Sequence, residues 1–152
     1  MKRFVISYLV ALEFLIISGM ASAQNDVDPQ ALADRWIQAY NSHDTSGLSS
    51  LYAEDAYLMM HGGPTYKGRR AIGEFWQQDF QESNPITTLA VTHSIDGVDM
   101  VLVHGNYQVL NRDTGLLLGQ GRFAHIWMLN ENGEWMLDRD LWNEPFEPYA
   151  SR

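Results

Sequence analysis

The sequence predicts an α+β domain in which three N-terminal helices pack on one face of a strongly curved antiparallel sheet. Two observations point there. Apolar residues recur at helical spacing only in the first half of the chain. From Thr87 onward they alternate with polar or small residues at the period of a strand, with turn signals between the runs.

The elements follow in order. Asp28-Pro29 is an N-cap followed by proline at the first helical position. Leu32, Trp36 and Tyr40 then recur at every fourth position with Ala33 and Ile37 beside them, an apolar helix face that ends near Asn41. Asp44 or Thr45 caps a short second helix through Leu48, Leu51 and Tyr52. Ala56 to Met60 is a short strand, broken by His61-Gly62-Gly63-Pro64 because two glycines and a proline cannot continue a ladder. After Gly68 a third helix carries Ile72, Phe75, Trp76 and Phe80 on one face, with Glu74, Gln77 and Gln78 opposite. Leu89, Val91, His93 and Ile95 open the sheet, and Asp96-Gly97 is a hairpin signal. Val98 to Leu110, Leu116 to Leu129 and Glu134 to Trp142 complete it, joined by turns at Asn111–Gly115 and Asn130–Gly133. The tail Glu144-Pro145-Phe146-Glu147-Pro148 is expected to be irregular.

The N-terminus has the pattern of a secretory signal peptide: basic Met1-Lys2-Arg3, a mostly apolar run from Phe4 to Met20, and the small-residue cleavage site Ala21-Ser22-Ala23. Glu13 interrupts the run, and a retained membrane anchor is the alternative, although the run is short of the ~20 residues that span a bilayer. The expectation is export to the periplasm or beyond, with 1–23 removed and 24–152 forming one domain. The formal charge of −9 becomes one unit more negative when that leader is lost, which argues against nucleic acid and anionic lipid as partners. With no cysteine, disulfides, thiolate metal sites and a cysteine nucleophile are excluded.

Several segments together resemble the nuclear transport factor 2-like superfamily, in its SnoaL-like and steroid isomerase-like branch. They are Tyr40-Asn41-Ser42-His43-Asp44, Leu51-Tyr52-Ala53-Glu54-Asp55-Ala56, Tyr66-Lys67-Gly68-Arg69-Arg70-Ala71-Ile72 with Phe75-Trp76, and Gly133-Glu134-Trp135 followed by Asp140-Leu141-Trp142-Asn143. Each is weak alone; their order and spacing, from Pro29 to Asn143, carry the resemblance. It implies a cone-shaped fold with a deep pocket at its open end, and a homodimer paired through the outer sheet face. It also implies a small apolar or aromatic molecule as ligand and no cofactor. That superfamily hosts isomerases, dehydratases, cyclases and binding modules, so function rests on individual pocket residues.

Steroid isomerisation needs a carboxylate base and two oxyanion donors, a tyrosine and a protonated acid. Those positions of the resembled pattern fall on Met59 or Met60, on Trp36 and on His125, so that mechanism is not expected. His125 shares a strand face with Phe123, Trp127 and Leu129. A symmetric Asn130–Gly133 hairpin sets Glu134 opposite Leu129 and residue 138 opposite 125, with Asp140 one pleat further. A carboxylate beside an imidazole fixes its tautomer and strengthens it as a base. A catalytic pair of His125 with Asp138 or Asp140 is therefore one reading, and a buried histidine satisfied for structure is the other. Tyr107, in line with Val101, Val103 and Val109, would donate its hydroxyl to an oxyanion, or point it at the rim. His104, Asn106 and Gln108 belong to the outer face.

In the resembled family Trp36, Tyr52, Trp76 and Trp142 occupy cavity positions, where they would suit a flat apolar ligand; plain core packing is the alternative. Tyr57, Met59 and Met60 would form another wall. His61 stands near the expected mouth. The five histidines show no ligand spacing on a single element, and no metal site is expected. No phosphate loop or nucleophile elbow is present, and Gly119-Gln120-Gly121 opens no helix. Two classes stay open. One is a cofactor-free isomerase, dehydratase or cyclase using His125 as acid/base. The other is a non-catalytic binding or self-associating module whose pocket is filled by its own Trp36, Trp76 and Met60.

Overall fold

The computed structural model describes residues 27–144. The expected leader, its cleavage site and the proline-containing tail beyond Glu144 lie outside the described residues. The order is α1 (Pro29–Asn41), α2 (Thr45–Ser50), β1 (Tyr52–Met60), β2 (Thr65–Lys67), α3 (Arg69–Ser83), β3 (Pro85–Asp96), β4 (Met100–Asn111), β5 (Leu117–Leu129) and β6 (Trp135–Asn143). One six-stranded sheet runs β2-β1-β6-β5-β4-β3. The α+β architecture is as expected, with one correction: β1 and β6 pair in parallel. The chain reaches this arrangement by leaving β1 for the short hairpin strand β2, crossing through α3 and laying down the meander β3–β6 from the far edge inward.

Helix α1 starts where Asp28 accepts a bond from the Gln30 amide and proline occupies the first turn. Its buried face, Leu32, Ala33, Trp36 and Tyr40, is the predicted one. Asp44 caps α2 through the Gly47 amide. Tyr52 begins β1 and does not extend α2. Gly68, at φ 86°, turns β2 into α3, and its amide bonds to the Ala56 carbonyl at 2.8 Å. Along β1 the pairing with β6 passes from Tyr52↔Leu137 to Tyr57↔Arg139, so β1 bulges between them. Arg69 donates to the Tyr52 carbonyl at 2.8 Å and pairs with Glu54 at 2.6 Å, which ties this bulge to the start of α3.

The helix C-termini close against the β4–β5 turn. Asn84 ends α3 in the left-handed region (φ 40°) and donates to Asp113 at 2.7 Å, while Asn111 donates to the Ser83 carbonyl at 2.8 Å. Asn41 at the end of α1 acts as a strand mimic. Its amide accepts from Thr87 N at 2.8 Å and donates to Thr87 O at 2.9 Å. That pair of hydrogen bonds holds α1 against β3 and satisfies the backbone of a residue only 3 % exposed.

The core lies between the helices and the concave sheet face and includes Leu32, Trp36, Leu48, Ile72 and Trp76 with Val101, Val103, Trp127 and Leu137. Among the described residues no helix is long and apolar enough to cross a membrane. Asn41→Ala is expected to destabilise the fold by about 1–3 kcal/mol, because it strands a partly buried amide and carbonyl. Urea unfolding measures this, and Asn41→Asp, which keeps the acceptor, should recover part of it.

Candidate active site

The register of β5 on β6 decides which carboxylate meets His125. Asn130 pairs with Glu134 across the turn (2.9 Å), where Gly133 sits at φ 79°. This sets Leu129 opposite Trp135, one residue beyond the symmetric hairpin expected from the sequence. A bulge then skips Asp138: Trp127 pairs with Leu137, Ile126 with Arg139 and His125 with Asp140. Leu137 and Asp140 are buried, while Asp138 and Arg139 are both partly exposed between them. Asp138 accepts from its neighbour Arg139 at 2.7 Å and does not line the cavity, so the His125–Asp138 alternative is not formed. His125 Nε2 lies 3.3 Å from Asp140 Oδ1, with the two side chains 2 % and 1 % exposed. This is long for a hydrogen bond, and such contacts tighten in reacting complexes. Facing a carboxylate, Nε2 carries the ring proton, since two lone pairs would repel. Nδ1 then presents a lone pair, and it is buried with no hydrogen-bond partner among the described residues.

Asp140 is held in turn by Tyr52, whose hydroxyl donates to Oδ2 at 2.5 Å. The Tyr52 hydroxyl oxygen in turn accepts the indole N–H groups of Trp36 at 3.0 Å and Trp76 at 3.1 Å. A phenol has one proton and two lone pairs, so Tyr52 is saturated. Burial, first, and then the charge and bond of Asp140 push its pKa well above the ordinary tyrosine value. Tyr52 was expected on the cavity wall; it stands fully buried behind it, because its hydroxyl is consumed by three neighbours.

The cavity measures about 410 Å³. Trp36, Trp76, Trp142 and Met60 line it as expected, together with Tyr107, His125 and Asp140. They do not fill it, so the alternative of a pocket plugged by Trp36, Trp76 and Met60 is not realised: two of the three lining tryptophans are anchored by Tyr52. Trp142 stacks on Trp76 (centroids 5.6 Å apart), and the His125 ring sits 5.5 Å from Trp36 and 4.8 Å from Phe123. Tyr57 is not a wall residue. Its neighbour Leu58 is buried, so alternation turns Tyr57 outward, where the guanidinium of Arg139 lies 4.4 Å from its ring centre. Met59 shares that outward parity.

Tyr107 lies against Gly119 and Gly121. A Cβ at Gly121 would stand 3.0 Å from its ring and 1.9 Å from the Asn143 carbonyl oxygen, so Gly119-Gln120-Gly121 is a seat for that ring. Burial, and then the Glu144 carboxylate, raise the pKa of its hydroxyl. His61 lies outside this cavity, in a neighbouring groove with Asn106, Gln120 and Asn143. Among the described residues no group of three or more His, Cys, Asp or Glu converges as a metal site.

Sequence reasoning missed Tyr40, Phe75, Asp79, Phe123 and Glu144 as lining residues. Asp79 follows Trp76 by three positions on an otherwise apolar helix face, and that misplaced charge was the available signal. Its carboxylate accepts from Tyr40 at 3.1 Å and Ser83 at 2.8 Å. Burial, then the Asp79 charge, raise Tyr40 above its ordinary range as well.

Tyr40 and Tyr52 thus keep their protons in the folded state at pH values where an unfolded tyrosine, near pH ~10, loses its own. The unfolded chain binds fewer protons there, so this stability is complete below pH ~10 and falls as pH rises further. The urea midpoint is expected to drop through that window, with two of the seven tyrosines silent in the tyrosinate absorbance until unfolding. Tyr52→Phe should lower the midpoint at neutral pH and flatten the alkaline slope.

A family model for a SnoaL-like domain matches residues 33–137. No curated protein matches the chain. Among solved structures, a ketosteroid isomerase-like protein from Erwinia carotovora atroseptica is 18% identical with a TM-score of 0.63, over 78% of this chain and 94% of its own. An NTF2-like protein with a cystatin-like fold from Novosphingobium aromaticivorans is 20% identical with a TM-score of 0.67, over 80% and 82%. A domain of unknown function with a cystatin-like fold from Nostoc punctiforme is 18% identical with a TM-score of 0.68, over 78% and 75%. These structures share its fold, and the chain belongs to the SnoaL-like domain family.

Proposed function

We propose that the chain is an exported small-molecule-binding domain that moves a proton on its ligand without a cofactor, in an isomerisation, dehydration or cyclisation. The observation that carries this reading is an open, ring-lined cavity of about 410 Å³ with the buried His125–Asp140 pair in its wall. Export rests on the leader sequence alone. His125 Nδ1 takes a proton from a carbon or hydroxyl of the bound molecule. Asp140 stabilises the imidazolium so formed, and the Tyr52 hydroxyl keeps that carboxylate in place. Returning the proton to another carbon completes an isomerisation; returning it to a leaving hydroxyl completes a dehydration. Tyr107 donates to the oxygen on which charge develops. The near-complete burial of the pair favours a second reading, binding without turnover.

Exchange of the α-hydrogens of 2-tetralone, a flat bicyclic ketone, into deuterated water separates the two. The wild type should accelerate exchange, and His125→Gln should return it to the buffer rate, a loss of about 10²–10⁴-fold. Its melting temperature should stay within a few degrees. Retained exchange in His125→Gln sinks the role given to the imidazole, and no acceleration by the wild type leaves the binding-only reading.

Homodimerisation belongs to the same proposal. Val101, Val103 and Trp127 face the helices, so Met100, Leu102, Ile126 and Met128 face away, and Leu102 and Ile126 are register partners at the middle of that face. Sedimentation should give two chains per particle at micromolar concentration, and Leu102→Asp should give one with an unchanged circular dichroism spectrum. A monomeric wild type contradicts the pairing.

A further inference from the structure

The ligand class follows from what the cavity wall has left to offer. Its hydrogen-bond donors are largely spent within the protein. The indole N–H groups of Trp36 and Trp76 go to Tyr52, and the hydroxyls of Tyr40 and Ser83 go to Asp79. The Thr87 hydroxyl goes to the Gln108 carbonyl. Only the Tyr107 hydroxyl and the Trp142 N–H make no hydrogen bond among the described residues. Acceptors are in surplus. Asp79 and the exposed Glu144 bring carboxylates to the wall, and neither has a cationic partner within 4 Å among the described residues. His125 also lines the cavity, and its buried Nδ1 has no hydrogen-bond partner among the described residues. Among the described residues neither lysine nor arginine lines the cavity. The rings present negative π faces, which attract a cation. The formal charge of −9 raises the local concentration of cations further.

We infer that the cavity takes a protonated amine carried on a flat apolar body, with the ammonium held near Asp79 and Glu144 and the body stacked among the tryptophans. An ammonium brings three donors and no acceptor, the complement of this wall. A carboxylate ligand would bring charge of the wrong sign and acceptors with few partners. This inference rests on the reading of the cavity as a ligand site and narrows it from any small apolar molecule to a cationic one.

Isothermal titration of the full chain at neutral pH with three matched probes tests it: 2-phenylethylamine, 2-phenylethanol and 3-phenylpropionate. The amine should bind about tenfold more tightly than the alcohol, and the carboxylate most weakly. Added salt should weaken only the amine. Asp79→Asn, close in shape, and Glu144→Gln, exposed and without structural bonds, should each shrink the amine's advantage about threefold while leaving the alcohol unchanged. An alcohol that binds as well as the amine, a carboxylate that binds best, or an advantage unmoved by both variants overturns the inference and leaves the cavity a ligand site. If none of the three probes binds at millimolar concentration, the ligand-site reading fails with it.

Discussion

The oxygen of Tyr52 is the point at which the helices, the sheet and the site are joined. Trp36 reaches it from α1, Trp76 from α3 and Asp140 from β6, while Tyr52 itself belongs to β1. Each bond is ordinary in net worth, about 1 kcal/mol, but breaking any of them leaves a buried polar group unpaired, which costs more. The geometry therefore behaves as a unit. The two indoles cannot rotate into the cavity without surrendering their only acceptor, and Asp140 cannot turn from His125 without losing its shortest bond. An open interior in a chain this rich in large rings follows from that restraint.

The same network explains how a carboxylate is kept in an apolar interior. Burying a charge without partners costs far more than a fold of this size can bear. Asp140 has Tyr52 on one oxygen and His125 on the other, and the two indoles draw electron density from the phenol that serves it. His125 is the member with capacity left over, since one ring nitrogen is engaged and the other is not. Asp79, also in the lining, is satisfied by two neutral hydroxyls, which orient it without neutralising it. The pocket thus combines apolar surface with carboxylates in its lining.

Much of the fold was legible in the sequence because its signals are local. Asp28-Pro29 and the spacing of Leu32, Trp36 and Tyr40 place α1 to the residue, and Gly68 with Ile72 and Trp76 places α3. The strand β2, three residues of Thr-Tyr-Lys, has no period to read, and the parallel pairing of β1 with β6 is a tertiary choice that no local pattern records. The site divides the same way. His125, Asp140 and three tryptophans were found from residue type and family position. The choice between Asp138 and Asp140 was not, because it depends on a five-residue turn and a one-residue bulge that leave no mark in the local pattern. Tyr52 was read as the end of a helix, since a lone tyrosine after Leu51 gives no sign that its hydroxyl will meet three partners from distant segments.

The protonation pattern of His125 tests the central claim most directly. Its neutral ring carries the proton on Nε2, toward Asp140, and leaves the buried Nδ1 as a bare acceptor. Nitrogen-15 spectra of histidine-labelled protein, with His125 assigned by comparison with His125→Gln, read this tautomer. A protonated Nε2 and an unprotonated Nδ1 that shifts when a ligand enters is the predicted result. A proton on Nδ1, or an Nδ1 signal unmoved by a bound ligand, would contradict the account and leave the pair a structural one.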